Sequence, residues 1–186
     1  MSQFGIRDIL ERNPIIPVVT FNAMGEVDAC VEKLLDKGIN CIEITLRTPI
    51  ALEAIARVKE KYNGNLDVGV GTLVNSVQLK HASDIGVDFI VSPGLLPHLK
   101  DELQEAEIPF IPGVVTPTEV IQGMSFGYDT FRLFPAVISG GIKLLKTYGG
   151  VFPEARFCPT GGINEENHQD FLSLPNVISV GGSWVV

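Results

Sequence analysis

The chain has 186 residues, of which 45% are hydrophobic and 19% charged, and its formal net charge is −8. This length and hydrophobic content suit a single domain with one sizeable core. The negative charge, with no cluster of Lys or Arg, argues against nucleic acid and anionic membranes as partners. An anionic ligand would have to be held by local donors.

The chain shows no targeting or metal-binding pattern. Its N-terminus lacks a basic stretch followed by an apolar core, and no apolar run is long enough to span a bilayer, so we expect a soluble cytoplasmic protein. Cys30, Cys41 and Cys158 have no CxxC spacing and are interpreted as small buried apolar groups. The three histidines lie in predicted helices, so we expect no metal site and no cofactor.

A first helix is predicted over residues 3–12, with apolar Phe4, Ile6, Ile9 and Leu10. Short β-branched stretches then alternate with amphipathic ones. Strands are predicted over residues 15–21, 40–45, 66–71, 88–91, 109–111, 130–134, 157–160 and 177–181. Helices are predicted over residues 26–37, 50–62, 76–85, 95–106, 117–127, 141–149 and 165–174.

This alternation predicts parallel strands with right-handed crossovers. Eight units favour a closed (β/α)₈ TIM barrel, one domain over residues 1–186, above an open doubly wound sheet. The open sheet would need a GxGxxG turn after the first strand, where residues 21–25 are Phe-Asn-Ala-Met-Gly. The eighth helix should begin where the chain stops, at Val186. We expect a shortened chain, or else a partner subunit that covers the uncovered strands.

Ligands of such a barrel bind at the C-terminal ends of its strands. Polar residues and glycines fill these ends: Glu43, Thr45, Arg47, Gly71, Thr72, Ser92, Pro93, Gly94, Pro112, Gly113, Phe134, Pro135, Ala136, Thr160, Gly161, Gly162, Gly181, Gly182 and Ser183. The requirements of tight turns explain glycines at these positions as well as a ligand site does. The charged residues are therefore more informative about a ligand site.

Glu43 and Arg47 in strand two, and Arg132 in strand six, alternate with apolar residues and are expected to face the lumen. A buried cation costs several kcal/mol unless it has a partner, so Arg132 implies an inward carboxylate or a bound anion. Glu43 could be half of an internal ion pair. Its place at a strand end favours a functional role instead.

Two glycine pairs end strands seven and eight, at Gly161-Gly162 and at Gly181-Gly182, the latter followed by Ser183. Backbone N–H groups in such loops form anion sites, and this is the usual place for a phosphate in a TIM barrel. The sequence therefore predicts a phosphate site there.

The motifs at the predicted strand ends resemble those of the aldolases of 2-keto-3-deoxy-6-phosphogluconate (KDPG) and 2-keto-4-hydroxyglutarate (KHG). The resemblance runs from about Ile15 to Val186. Its motifs are Ile42-Glu43-Ile44-Thr45-Leu46-Arg47-Thr48-Pro49, Gly69-Val70-Gly71-Thr72, Phe89-Ile90-Val91-Ser92-Pro93-Gly94, Pro112-Gly113-Val114-Val115-Thr116-Pro117-Thr118-Glu119, Phe134-Pro135-Ala136, Pro159-Thr160-Gly161-Gly162 and Val180-Gly181-Gly182-Ser183-Trp184.

The resemblance implies a class I, Schiff-base pyruvate aldolase, typically a homotrimer, that cleaves KDPG to pyruvate and glyceraldehyde 3-phosphate in the Entner–Doudoroff route. It implies that Glu43 is the general acid/base. The residues implied to hold the pyruvyl carboxylate and the hydroxyls are Arg47, Thr72 and Thr160. The implied apolar walls are Pro93 and Phe134, and the implied phosphate grip is Gly161, Gly162, Gly182 and Ser183.

One position departs from the resemblance. The family's strand six has Lys-Phe-Phe-Pro-Ala, whereas this chain has Arg132-Leu133-Phe134-Pro135-Ala136, so Arg132 occupies the Schiff-base lysine position. A permanently protonated guanidinium forms no stable imine with a ketone. Every lysine falls in a predicted helix, and Lys143 comes closest to a strand end.

Two functions stay open. The first is an aldolase that still turns over its keto acid. The second is a degenerate binder of a keto-acid phosphate, in which Arg132 pairs with Glu43 or clamps a carboxylate. Metal-dependent aldol chemistry is set aside, because Glu43 is the one acidic residue at the predicted strand ends.

Overall fold

The computed structural model describes Gln3 and residues 5–186. Its strands are β1 (Ile15–Val19), β2 (Cys41–Thr45), β3 (Asp67–Gly71), β4 (Phe89–Val91), β5 (Phe110–Ile111), β6 (Gly113–Val114), β7 (Thr130–Leu133), β8 (Arg156–Phe157) and β9 (Val180–Gly182). Its α-helices are α1 (Ile6–Arg12), α2 (Val27–Asp36), α3 (Ala51–Tyr62), α4 (Ser76–Ile85), α5 (Lys100–Glu105), α6 (Pro117–Ser125), α7 (Gly141–Val151) and α8 (His168–Leu172). Over the described residues, no helix combines the length and apolarity needed to cross a membrane.

The strands form a curled parallel sheet. One part has six strands in the order β5-β4-β3-β2-β1-β9, and the other has three in the order β6-β7-β8. The chain itself joins the two parts at Pro112, between β5 and β6, and a backbone hydrogen bond joins them again where the N–H of Gly181 donates to Pro159 O at 2.9 Å. Helices connect successive strands except β5 and β6, and this is a TIM-barrel-like α/β fold.

The fifth predicted strand is longer than expected and interrupted. Beyond β5 the chain passes Pro112 and continues as β6. Proline has no N–H for the ladder, so a break at this position is expected. A Cβ at Gly113 would lie 2.3 Å from the Pro93 carbonyl, so glycine is needed where the two segments pass.

Other boundaries shift by a few residues. The predicted helix over 95–106 is a 3₁₀ turn, Pro97–Leu99, followed by α5. The strand predicted over 157–160 is observed as the shorter β8, and the strand predicted over 177–181 is observed as β9, which begins later. Thr160 pairs with Gly181 through a single bridge. The predicted first helix, over 3–12, is observed as α1, and Phe4 lies outside the described residues.

Helix α1 covers the N-terminal ends of the strands, opposite the predicted site. Ile6, Ile9 and Leu10 pack in a separate apolar cluster with inward side chains such as Cys41 of β2. Just before α1, the Gln3 carboxamide donates to the carbonyls of Phe110 and Thr130 and accepts from the N–H groups of Asp129 and Thr130, at 2.8–2.9 Å. These bonds hold the segment against β5 and β7.

Candidate active site

A cavity of about 430 Å³ opens at the C-terminal ends of the strands. Its lining residues are Val18, Val19, Thr20, Arg47, Arg132, Thr160, Gly161, Gly162, Ile163, Gly182, Ser183 and Val186. Volumes of this size are typical of small-molecule sites. The cavity is therefore large enough for a phosphorylated sugar acid.

Seven of the eleven site residues named from the sequence line this cavity: Arg47, Arg132, Thr160, Gly161, Gly162, Gly182 and Ser183. Glu43 contacts Arg132 but is outside the lining, as are Thr72, Pro93 and Phe134. Thr20, at the end of β1, is in the lining and was missed. The strand-end rule, applied to the first strand as to the others, would have found it.

Arg132 and Glu43 form a buried ion pair across the lumen. Nη1 of Arg132 donates to Oε1 of Glu43 at 2.7 Å, and the two side chains are only 7% and 4% exposed. Of the two partners that the sequence allowed for Arg132, an inward carboxylate or a bound anion, the structure shows the carboxylate. A Cβ at Gly71 would lie 2.2 Å from the same Oε1, so glycine in β3 makes room for the carboxylate.

The guanidinium of Arg132 also stacks on an aromatic ring. Its central carbon lies 5.3 Å from the centroid of the Phe134 ring, a cation–π distance. Phe134 therefore packs against Arg132, although it is not in the cavity lining.

Two buried polar atoms near the cavity have no hydrogen-bond partner among the described residues: Nε of Arg132 and Oγ1 of Thr160. An unsatisfied buried donor or acceptor costs about 1–3 kcal/mol, so such atoms call for an explanation. Both residues line the same cavity. The arrangement can hold a ligand with oxygen acceptors.

The charged side chains at the cavity sum to a net positive charge. Arg132 is neutralised by Glu43, whereas Arg47 is exposed and has no ion pair within the described part of the chain. Thr20 and Thr45 share a hydroxyl hydrogen bond of 2.7 Å beside this cation. Arg47 is thus available to an anionic ligand.

The glycine loops have the conformation that their sequence indicates. Gly161 and Gly162 have φ values of +100° and +79°, in the left-handed region that favours glycine. A Cβ at Gly181 would meet Oγ1 of Thr160 at 2.3 Å, so this glycine gives the threonine side chain its space. The backbone can thereby approach a ligand closely, as the predicted anion site requires.

Among the residues that the structure describes, no lysine lines the cavity. Lys143 is exposed on α7 and borders a separate outer groove with Asn167 and Phe171. Groups of three or more His, Cys, Asp or Glu able to hold a metal ion are absent from the described residues.

The cysteines are not poised as nucleophiles. Burial raises the pKa of Cys158 to about 11, although nearby Arg132 acts in the opposite direction. Burial likewise holds the pKa of Cys41 well above its usual value. Cys30 is only half-buried, so the expectation of three buried thiols is wrong for this one residue.

Comparison with known proteins matches both the motifs and the fold. A family model described as KDPG and KHG aldolase matches residues 6–186. The 2-dehydro-3-deoxy-phosphogluconate aldolase of Dickeya dadantii is 40% identical over 178 residues, covering 96% of this chain and 83% of that protein. The KHG/KDPG aldolase of Escherichia coli is 38% identical over the same shares of the two chains.

A solved KDPG aldolase of Legionella pneumophila superposes with a TM-score of 0.93 and 38% identity, covering all of this chain and 88% of that one. In that structure pyruvate is captured as a covalent carbinolamine intermediate. A Zymomonas mobilis KDPG aldolase, solved with 3-phosphoglycerate, gives a TM-score of 0.95 at 38% identity, with the same coverage. The chain belongs to the KDPG and KHG aldolase family, and so to the carbon–carbon lyases.

Proposed function

We propose that this chain takes KDPG or KHG into the cavity at the C-terminal ends of a closed (β/α)₈ barrel. One observation carries the proposal: seven residues chosen from separate stretches of sequence converge on one cavity. The Gly181–Pro159 backbone hydrogen bond between the two parts of the sheet supports closure of the barrel.

In this proposal the two ends of the ligand bind different groups of the cavity. The phosphate of KDPG, or the distal carboxylate of KHG, binds the glycine loops at Gly161, Gly162, Gly182 and Ser183. Arg47, Thr72 and Thr160 hold the pyruvyl end, Pro93 and Phe134 form its walls, and Glu43 is the acid/base. The relatives solved with pyruvate and with 3-phosphoglycerate support the binding of a carboxylate at one end and a phosphate at the other.

Cleavage of KDPG to pyruvate and glyceraldehyde 3-phosphate would need an amine for the imine. The resemblance assigns that amine to position 132, which is arginine in this chain. A second candidate function is therefore binding of the keto-acid phosphate without cleavage. The Arg132–Glu43 ion pair favours it, because the imine position and the acid/base are engaged with each other.

The deciding experiment measures pyruvate release from KDPG and from KHG by the unmodified protein and by Arg132→Lys. Calorimetry of the same ligands measures binding in parallel. If only the variant releases pyruvate, the unmodified chain is a binding protein. If both proteins release pyruvate, the unmodified chain is an active aldolase. Failure of both proteins to bind either ligand refutes the proposal.

The proposal includes one domain over residues 1–186, a homotrimer and a cytoplasmic location. The trimer is what the family resemblance implies for this chain. Light scattering should give three times the chain mass of 20.2 kDa. A monomer mass contradicts the trimer, and recovery in a membrane or periplasmic fraction contradicts the location.

A further inference from the structure

The unpartnered atoms in the cavity lie on neighbouring strands. Arg132 and Thr160 are each only 5% exposed, and Nε of the one and Oγ1 of the other have no hydrogen-bond partner among the described residues. The N–H of Thr160 donates to Leu133 O at 2.9 Å, which places Thr160 beside the segment that carries Arg132. Both side chains line the cavity.

We propose that the Nε edge of Arg132, together with Thr160, binds the ligand's carboxylate directly, so that the site accepts phosphorylated sugar acids with or without a 2-keto group. This inference rests on the proposed function, because it uses the same cavity and the same phosphate loops. It adds the role of Arg132 and the substrate class that follows from it.

The chemistry of the side chain leads to this role. Nη1 of Arg132 donates to Glu43, whereas Nε has no partner among the described residues. The guanidinium edge that carries Nε can therefore donate two hydrogen bonds to the two oxygens of a ligand carboxylate. A lysine at this position would select a ketone by forming an imine with it. A guanidinium forms no such bond, so recognition depends on the carboxylate and the phosphate rather than on C2.

Two ligands with the same end groups test the proposal. KDPG has a keto group at C2, whereas 6-phosphogluconate has a hydroxyl there, and both have a carboxylate and a phosphate. Calorimetry with the unmodified protein should give dissociation constants within about threefold of each other. Inorganic phosphate alone should bind at least tenfold more weakly than either, since it lacks the carboxylate.

Two variants locate the carboxylate. Arg132→Lys keeps a cation beside Glu43 but removes the Nε edge, and it should weaken 6-phosphogluconate at least tenfold while KDPG becomes trappable by borohydride. Thr160→Val removes the free hydroxyl at nearly constant shape and should weaken both ligands. Lys143→Ala, on the exposed face of α7, is the matched control and should change neither constant. Circular dichroism and melting curves establish that each variant is folded.

The outcomes separate the two levels of the proposal. Binding of KDPG without 6-phosphogluconate overturns this inference and leaves the proposed function standing. Binding of neither ligand overturns this inference, and if KHG also fails to bind, the proposed function is overturned with it. Equal binding that survives Arg132→Lys and Thr160→Val unchanged places the carboxylate elsewhere and also overturns the inference.

Discussion

Loss of the Glu43 charge should destabilise the fold more than loss of any exposed carboxylate. Glu43→Gln keeps the shape and an oxygen acceptor for Arg132, but it leaves the guanidinium, 7% exposed, without a counter-charge. Breaking a buried pair in this way costs about 3–5 kcal/mol. Because the amide still accepts a hydrogen bond, we expect the lower end, about 3 kcal/mol. For a chain of this length that lowers the melting temperature by about 6–12 °C.

Urea unfolding followed by circular dichroism measures this loss. Asp84→Asn is the control, because Lys80 and Asp84 form a pair with side chains 72% and 58% exposed, for which about 0.3–0.5 kcal/mol is expected. In an Arg132→Met background, Glu43→Gln should cost much less than in the unmodified protein. A loss below about 1 kcal/mol in the unmodified protein would refute the argument that the buried pair is a major electrostatic contact.

Three further outcomes are expected. Gly71→Ala should cost about 1–3 kcal/mol in urea unfolding, because its Cβ would lie 2.2 Å from Oε1 of Glu43. Burial keeps the Cys158 thiol neutral and raises its pKa to about 11. The contribution of this thiol to the free energy of unfolding is therefore complete below the unfolded pKa of about 8.5 and is lost as the pH rises towards 11. Cys158→Ala should flatten this decline of the free energy of unfolding at alkaline pH. Lys143→Ala should leave any pyruvate release unchanged. If pyruvate release is lost in this variant, Lys143 is the imine donor.

Alternation along single strands predicted much of the site. It placed Glu43 and Arg132 in the lumen, and their ion pair confirms that both side chains face it. The break at Pro112 was within reach of the same rules, since proline cannot donate to the ladder. Thr20 follows β1 and lines the cavity, and the strand-end rule reaches it when it is applied to the first strand as to the others.

Other features depend on packing between distant segments. The pattern of strand ends could not separate residues that line the cavity from those beside it, such as Thr72 and Pro93. That distinction depends on the direction and length of each side chain in three dimensions. The unpartnered Nε of Arg132 is likewise a property of the assembled site, because it depends on which nitrogen Glu43 takes.

The ion pair also limits how a ligand can use Arg132. Strands β2 and β7 are not neighbours in the sheet, so the pair is a contact across the lumen. A ligand carboxylate that displaced Glu43 would leave that carboxylate buried without its partner, at a cost of several kcal/mol. A carboxylate at the Nε edge avoids this cost, because the Nη1 contact with Glu43 stays in place. A ligand carboxylate is therefore expected to bind Arg132 alongside Glu43 rather than to displace Glu43.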